Sequence, residues 1–274
     1  MRELGWHEGK NVEYQFLYAD GSVDRLGAMA DELVRRAVEV IVVSNALSTR
    51  AAQKATKTVP IVMTGVSSPV SNGFVASLAK PGGNVTGMAI VPEEMQGKLI
   101  GILHEMVPKA RRIAFLFNDS NLNHAALWSA SRNACSALDL VALRFAAGAP
   151  ADFAAAVDQI VASRAQAVVV ALDPIFVNER VKLQALMQTT ELPVAYSLHQ
   201  HVLEGGLLSY SSDLAGLFRY SAKYVHRILL GAKPADLPVE QPTKFELVIN
   251  LKTAKSFGLT TAQSLLLRAD EVIQ

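Results

Sequence analysis

The chain has 274 residues, half of them hydrophobic and 19% charged, so it can bury two domain-sized cores and is too apolar for disorder. Its 26 basic and 25 acidic residues are scattered along the chain and leave a net charge of +1; with no dense basic patch, nucleic acid is not an expected partner. Cys135 is the only cysteine, which rules out an internal disulfide and clusters of the CxxC type, and no apolar run approaches the roughly 18 residues of a bilayer span.

The opening MRELGWHEGK is polar, carries no signal-peptide core, and reads as the end of a helix. NVEYQFLY (Asn11–Tyr18) follows as a strand. Asp24–Ala37 is predicted helical, with Leu26, Met29, Ala30, Leu33 and Val34 on one face. Next come a strand (Val40–Val43), a polar turn, a helical stretch, and a proline opening the strand Ile61–Thr64. A Gly82-Gly83 pair then leads into another strand. Beyond it lie the strand Arg112–Phe117, a helix, and the strand Leu140–Phe145. The helix Asp152–Arg164 places Phe153, Ala156, Val157, Ile160 and Val161 on one face. The strand Ala167–Ala171, a turn, a helix and Pro193 lead to the strand Val194–Ser197, then to Gly205-Gly206 and a further strand. The longest helix, Asp213–Leu230, repeats Leu217, Tyr220, Tyr224 and Ile228 and stops at Gly231. After Pro234 and Pro238 come the strand Phe245–Asn250 and a short helix ending at Gly258.

Two stretches of this order match. Residues 38–64 and 165–197 both run strand, turn, helix, proline, strand, and both continue into a glycine pair and another strand. Short continuous apolar strands joined by helices mark parallel units covered on both faces. The repeat therefore predicts an α/β protein with two doubly wound parallel-sheet lobes and a ligand cleft between them. Lobe one is expected over 1–91 and 213–236, and lobe two over 92–212 and 237–274. Lobe two opens with a strand and a helix (Arg112–Asp139) for which lobe one shows only the helix end. In a 2-1-3-4-5 order that strand is central. The repeat thus predicts a lobe one truncated at its N-terminus, with an unfilled sheet position that a second copy could fill as a homodimer.

In open parallel sheets, ligands lie beyond the carboxyl ends of the strands. Lobe one offers Ser44, Asn45, Thr64 and Ser67 there as hydrogen-bonding groups. Lobe two offers Asn118, Asp119, Asp173 and Tyr196, with Tyr210 near a crossover strand and Asp173 as the partner for a cationic amine. This hydroxyl, amide, carboxylate and aromatic set suits a small polar or zwitterionic molecule; Ser, Asn and Asp are equally the common N-caps and turn formers. Catalytic patterns are not readable. GxGxxG, GxxxxGK[ST] and GxSxG are all missing, so no cofactor is expected. His199 and His201 form an HxH on an expected loop, with no third metal ligand at readable spacing.

Three blocks carry a family resemblance: Ala55–Gly87, Gly205–Asp213 and PADLPVEQPTKFELVINLKTAKSFGL (Pro234–Leu259). They resemble the bacterial ABC-transporter substrate-binding proteins that include tryptophan- and tyrosine-binding lipoproteins, and the likeness spans essentially the whole chain. The resemblance implies a periplasmic-binding-protein-like fold that captures an amino-acid-like solute by lobe closure. It also implies delivery to the membrane subunits of an ABC importer, and a periplasmic or membrane-anchored extracytoplasmic location. Two departures stand out: Ser68-Pro69-Val70 replaces the family's Asp-Pro-Val, and Ser209-Tyr210-Ser211 replaces Ser-Tyr-Gly. Two rivals share the two-lobe plan. An effector domain of a transcription regulator would need a helix-turn-helix part, and a sugar-nucleotide enzyme would need a phosphate loop or an acid–base set.

Overall fold

The computed structural model describes residues 1–20, 22–121 and 123–274, which divide into two compact units: 1–91 with 212–244, and 92–211 with 245–274.

In unit one, β1 (Ile41–Val43), β2 (Ile61–Ser67) and β3 (Val85–Ile90) form a parallel sheet in that order. Five of the seven residues of β2 and all six of β3 are buried, which is why these strands read as largely apolar runs. β2 runs past the expected Thr64 because a bulge between Thr64 and Val66, with Gly65 at φ +73°, carries the pairing on to Ser67. Gly87 in β3 lets two backbones approach: a Cβ there would stand 2.2 Å from the Met63 carbonyl oxygen, and φ is +126°. The helix Leu214–Leu229 lays Leu217 over Gly65 and binds the sheet where Thr64 Oγ1 donates to Ser221 Oγ at 2.9 Å. Residues 237–240, read from sequence as lobe two, lie in unit one. Glu240 exchanges backbone hydrogen bonds with Gly87 and Ala89, and Thr86 Oγ1 donates to the Leu237 carbonyl at 2.6 Å.

Residues 11–18 are not a strand. Val12 makes one isolated bridge with Glu8, and Tyr14, Phe16 and Tyr18 stack on one another at alternate positions, 6.0 and 6.4 Å between ring centroids. The segment has the alternation of a strand without a ladder. In unit two the corresponding second strand pairs only with the strand preceding it, and unit one has no such neighbour among the described residues.

Unit two holds the strands β4 (Arg112–Phe117), β5 (Val141–Ala146), β6 (Ala167–Val170), β7 (Val194–Tyr196), β8 (Leu208–Ser212), β9 (Phe245–Asn250) and β10 (Glu271–Ile273). Their order is β10-β9-β8-β7-β6-β4-β5; the pairs β10–β9, β8–β7, β7–β6, β6–β4 and β4–β5 are parallel. Alternate residues of β4 divide between two cores: Ile113, Phe115 and Phe117 pack on one side, Ala114 and Leu116 on the other. The helix Pro92–Met106 covers the first face with Leu99, Ile100, Leu103 and Met106. The helix Phe153–Ala162 covers the second with Phe153, Ala156, Val157 and Ile160, while Val161 stays half-exposed, off the face expected for it.

Candidate functional site

At the carboxyl end of β4 the chain turns through Asn118, Asp119 and Ser120, and after β6 it turns through Asp173 into the helix Pro174–Asn178. Asp173 is only 2% exposed. One carboxylate oxygen accepts from Asn118 Nδ2 at 3.2 Å and from the Ile175 backbone N–H at 3.0 Å, the latter as the helix N-cap. The other accepts from Asn121 Nδ2 at 2.8 Å. His124 braces the same turns: its Nδ1 accepts from the Asn118 N–H at 2.9 Å, so the ring proton sits on Nε2, 3.1 Å from the Leu172 carbonyl. The strand ends of β4 and β6 are thereby locked into one polar cluster. A buried carboxylate demands such partners, because an unpaired one costs far more than the hydrogen bonds return.

Asp173 was expected to face a ligand amine directly; its oxygens are instead held by Asn118, Asn121 and Ile175, which makes it the centre that positions these amides. Asp119 is exposed and paired with Arg144 at 2.6 Å, a surface ion pair of small energetic weight. Tyr196 requires correction. Its ring is fully buried and stacks on His201 at 4.5 Å, and its hydroxyl donates to Gln184, so it is core and does not line a surface site. Burial drives its hydroxyl well above the ordinary phenol range. His201 also belongs to this core, on the helix His199–Leu203 where the sequence suggested a loop. Its Nε2 donates to the Phe176 carbonyl at 3.1 Å.

In unit one, Ser44 is exposed just past β1. Asn45 caps the helix Ala46–Ala55 in a reciprocal capping box with Ser48. Thr64 is buried against Ser221, which removes it from any exposed set. Ser67 is half-buried at the end of β2, and its carbonyl accepts from Asn72 Nδ2 at 3.1 Å. Ser68 sits at φ +47° and opens the turn that Asn72 closes.

Tyr210 stands apart from the Asp173 cluster. It stacks on Phe245 at 5.7 Å, with Lys98 Nζ 5.1 Å from the Phe245 ring. Together with Arg268 and Asp270 these residues line an open cavity of about 530 Å³ within unit two. Sequence reasoning missed Asn121 and His124 as members of the Asp173 cluster, because their partner lies some fifty residues away. The dense run of amides and histidine in NDSNLNH was the available signal.

The family model for ABC transporter substrate binding proteins matches residues 1–273. The chain belongs to this family. A curated relative, the tyrosine-binding protein of Clostridioides difficile, is 24% identical over 259 residues, covering 94% of this chain and 74% of the relative. Two solved structures agree closely in fold. A Streptococcus pneumoniae ABC domain in complex with L-Trp is 27% identical at a TM-score of 0.91, covering 99% of this chain and 91% of that one. A conserved domain protein of Vibrio cholerae is 25% identical at a TM-score of 0.92, covering 99% and 90%. A LacI family transcriptional regulator from Bifidobacterium animalis shares the fold alone, at 13% identity and a TM-score of 0.60, over 86% of this chain and 84% of that one. This substrate-binding family is extracytoplasmic, and no described helix is long and apolar enough to cross a membrane.

Proposed function

We propose that this substrate-binding protein captures a free amino acid with an aromatic side chain and passes it, chemically unchanged, to the membrane subunits of an ABC importer. The observation that supports the reading most is the Asp173 cluster: a buried carboxylate at the carboxyl ends of β4 and β6 that holds two amide side chains in fixed orientation. Such an array offers preset polar partners to the ammonium and carboxylate groups of a zwitterion. The relatives supply the chemical class, since one is a tyrosine-binding protein and another was solved with L-Trp.

In this proposal Asn118, Asn121 and Asp119 are the polar groups that unit two offers a solute, and Ser44, Asn45 and Ser67 are those of unit one. Asp173 positions the amides, and no residue acts as a catalyst. The protein works periplasmically or on a membrane anchor. We also infer a homodimer through the edge of β1 that pairs with no strand among the described residues. Ile41 N–H is bonded to the carbonyl of Pro60, the residue before β2, so alternation turns the Val42 N–H and C=O toward the open side. Calorimetric titration with L-Trp and L-Tyr, against L-Asp and L-Lys as controls, tests the ligand class. Saturable one-to-one binding of an aromatic amino acid, at least tenfold tighter than the controls, is expected; equal or no binding across the set contradicts it.

A further inference from the structure

Helix His199–Leu203 packs against β9, and β10 pairs in parallel with β9 at the end of the sheet. Glu271 is register partner of Val248, so it shares a sheet face with Glu246, two residues earlier in β9. His199 is brought onto that face. Its Nδ1 lies 3.9 Å from Glu246 Oε2, and its Nε2 lies 3.3 Å from Glu271 Oε2. One donor atom from each of the three residues falls within 4.8 Å of the others. A further observation points the same way: His199 Nε2 is shielded from solvent yet makes no hydrogen bond of acceptable geometry. A shielded ring nitrogen that faces a carboxylate without a well-formed hydrogen bond is a cost that a bound ion between the two would remove.

We propose that His199, Glu246 and Glu271 form a site for a single divalent transition-metal ion of the zinc class, separate from the Asp173 cluster. One imidazole with two carboxylates is a borderline donor set, suited to zinc more than to calcium or magnesium, which prefer oxygen alone. Ligands around a tetrahedral ion at about 2.0–2.2 Å stand roughly 3.3–3.6 Å apart. Nε2 is the ring nitrogen that would bind: it already has that spacing to Glu271, and Glu246, whose Oε2 now lies nearest Nδ1, would turn its partly exposed carboxylate toward Nε2. Three protein ligands leave a fourth position for water. The ion would clip the short helix, β9 and the C-terminal strand β10 together, so its effect is on the stability of the sheet edge. The cation-bearing cavity at Lys98 and Arg268 shares β9 but contributes none of the three donors.

The test titrates chelator-treated full-length protein with Zn²⁺ at neutral pH by calorimetry and by melting temperature. Co²⁺ provides a spectroscopic probe. One Zn²⁺ per chain with low-micromolar or tighter affinity is expected, with a raised melting temperature and a visible Co²⁺ band of a four-coordinate site. His199→Gln and Glu271→Gln should each weaken binding at least tenfold, while His7→Gln, at an exposed position in unit one, should leave it unchanged. The absence of saturable binding to the unsubstituted protein overturns the proposal, and so does unchanged affinity in both site variants. Amino-acid binding is measured on the same samples. Its presence or loss is read independently of the metal.

Discussion

Asp173 is the residue whose chemistry the fold fixes most tightly. Replacing it by Asn removes the charge and turns an N–H donor toward the Nδ2 of Asn118 or Asn121, which is itself a donor. Hydrogen bonds to a charged group are worth about 1.5–3 kcal/mol each, so Asp173→Asn should cost about 2–4 kcal/mol of stability. Ligand affinity should fall with it, because the amides lose their orientation. Chemical denaturation together with calorimetry checks both; a variant of normal stability with weaker ligand binding would return Asp173 to direct contact. His201 gives a pH prediction. Burial holds its imidazole below its usual value, so it stays neutral in the fold. The unfolded chain takes up a proton near the ordinary value of 6.5 while the folded chain does not. Its contribution is therefore complete above that pH and is lost as the pH falls below it. His201→Phe keeps the ring against Tyr196 and removes the proton site. The melting temperature of the variant should lie below that of the parent at pH 7.5 and fall less steeply toward pH 5. At this scale the sequence was partly legible. Asp173 before Pro174 announces a helix N-cap, but the approach of Asn121 and His124 depends on tertiary closure, and nothing local marks Tyr196 as core.

At the scale of elements, the parallel strands were readable because burial on both faces leaves short, largely apolar runs such as Ile61–Met63 in β2 and the whole of β6. The helix Pro92–Met106 was not read from the sequence. Gly97 and Gly101 interrupt its pattern, and their low helix propensity is offset by packing of Leu99, Ile100, Leu103 and Met106. β10 has three residues and only partial burial, too little signal to stand out. Residues 11–18 show the reverse case: they alternate as a strand should, yet a strand exists only with a partner, and none reaches them among the described residues. Two substitutions probe how the elements are held. Gly87→Ala places a methyl against the Met63 backbone at a positive φ and should cost more than about 3 kcal/mol, since neither strand can yield cheaply. Asp213 caps the helix Leu214–Leu229 through Gly216 N–H at 2.8 Å, and Asp213→Ala should cost about 1 kcal/mol. Denaturant midpoints measure both; a reversed ranking would mean that the β2–β3 approach is not the constraint described.

For the whole molecule, the repeat predicted two parallel α/β units, and the fold has that class. Family membership carries the assignment as a substrate-binding protein, and the Asp173 cluster is the site proposed for it. The homodimer inferred at β1 is tested by Val42→Pro. It removes a backbone N–H facing the open edge while leaving the bond from Ile41 to Pro60 in place. Sedimentation should show the parent associating and the variant monomeric; the same monomeric state in both removes the proposed interface. Capture of an aromatic amino acid without chemistry is the proposal on which the other assignments rest. Native mass spectrometry of the protein incubated with L-Trp and L-Tyr tests it most directly. The prediction is one ligand per chain, bound at the mass of the intact amino acid and released at that same mass after denaturation. A released species of altered mass that accumulates with time, or no complex with either amino acid, would contradict it.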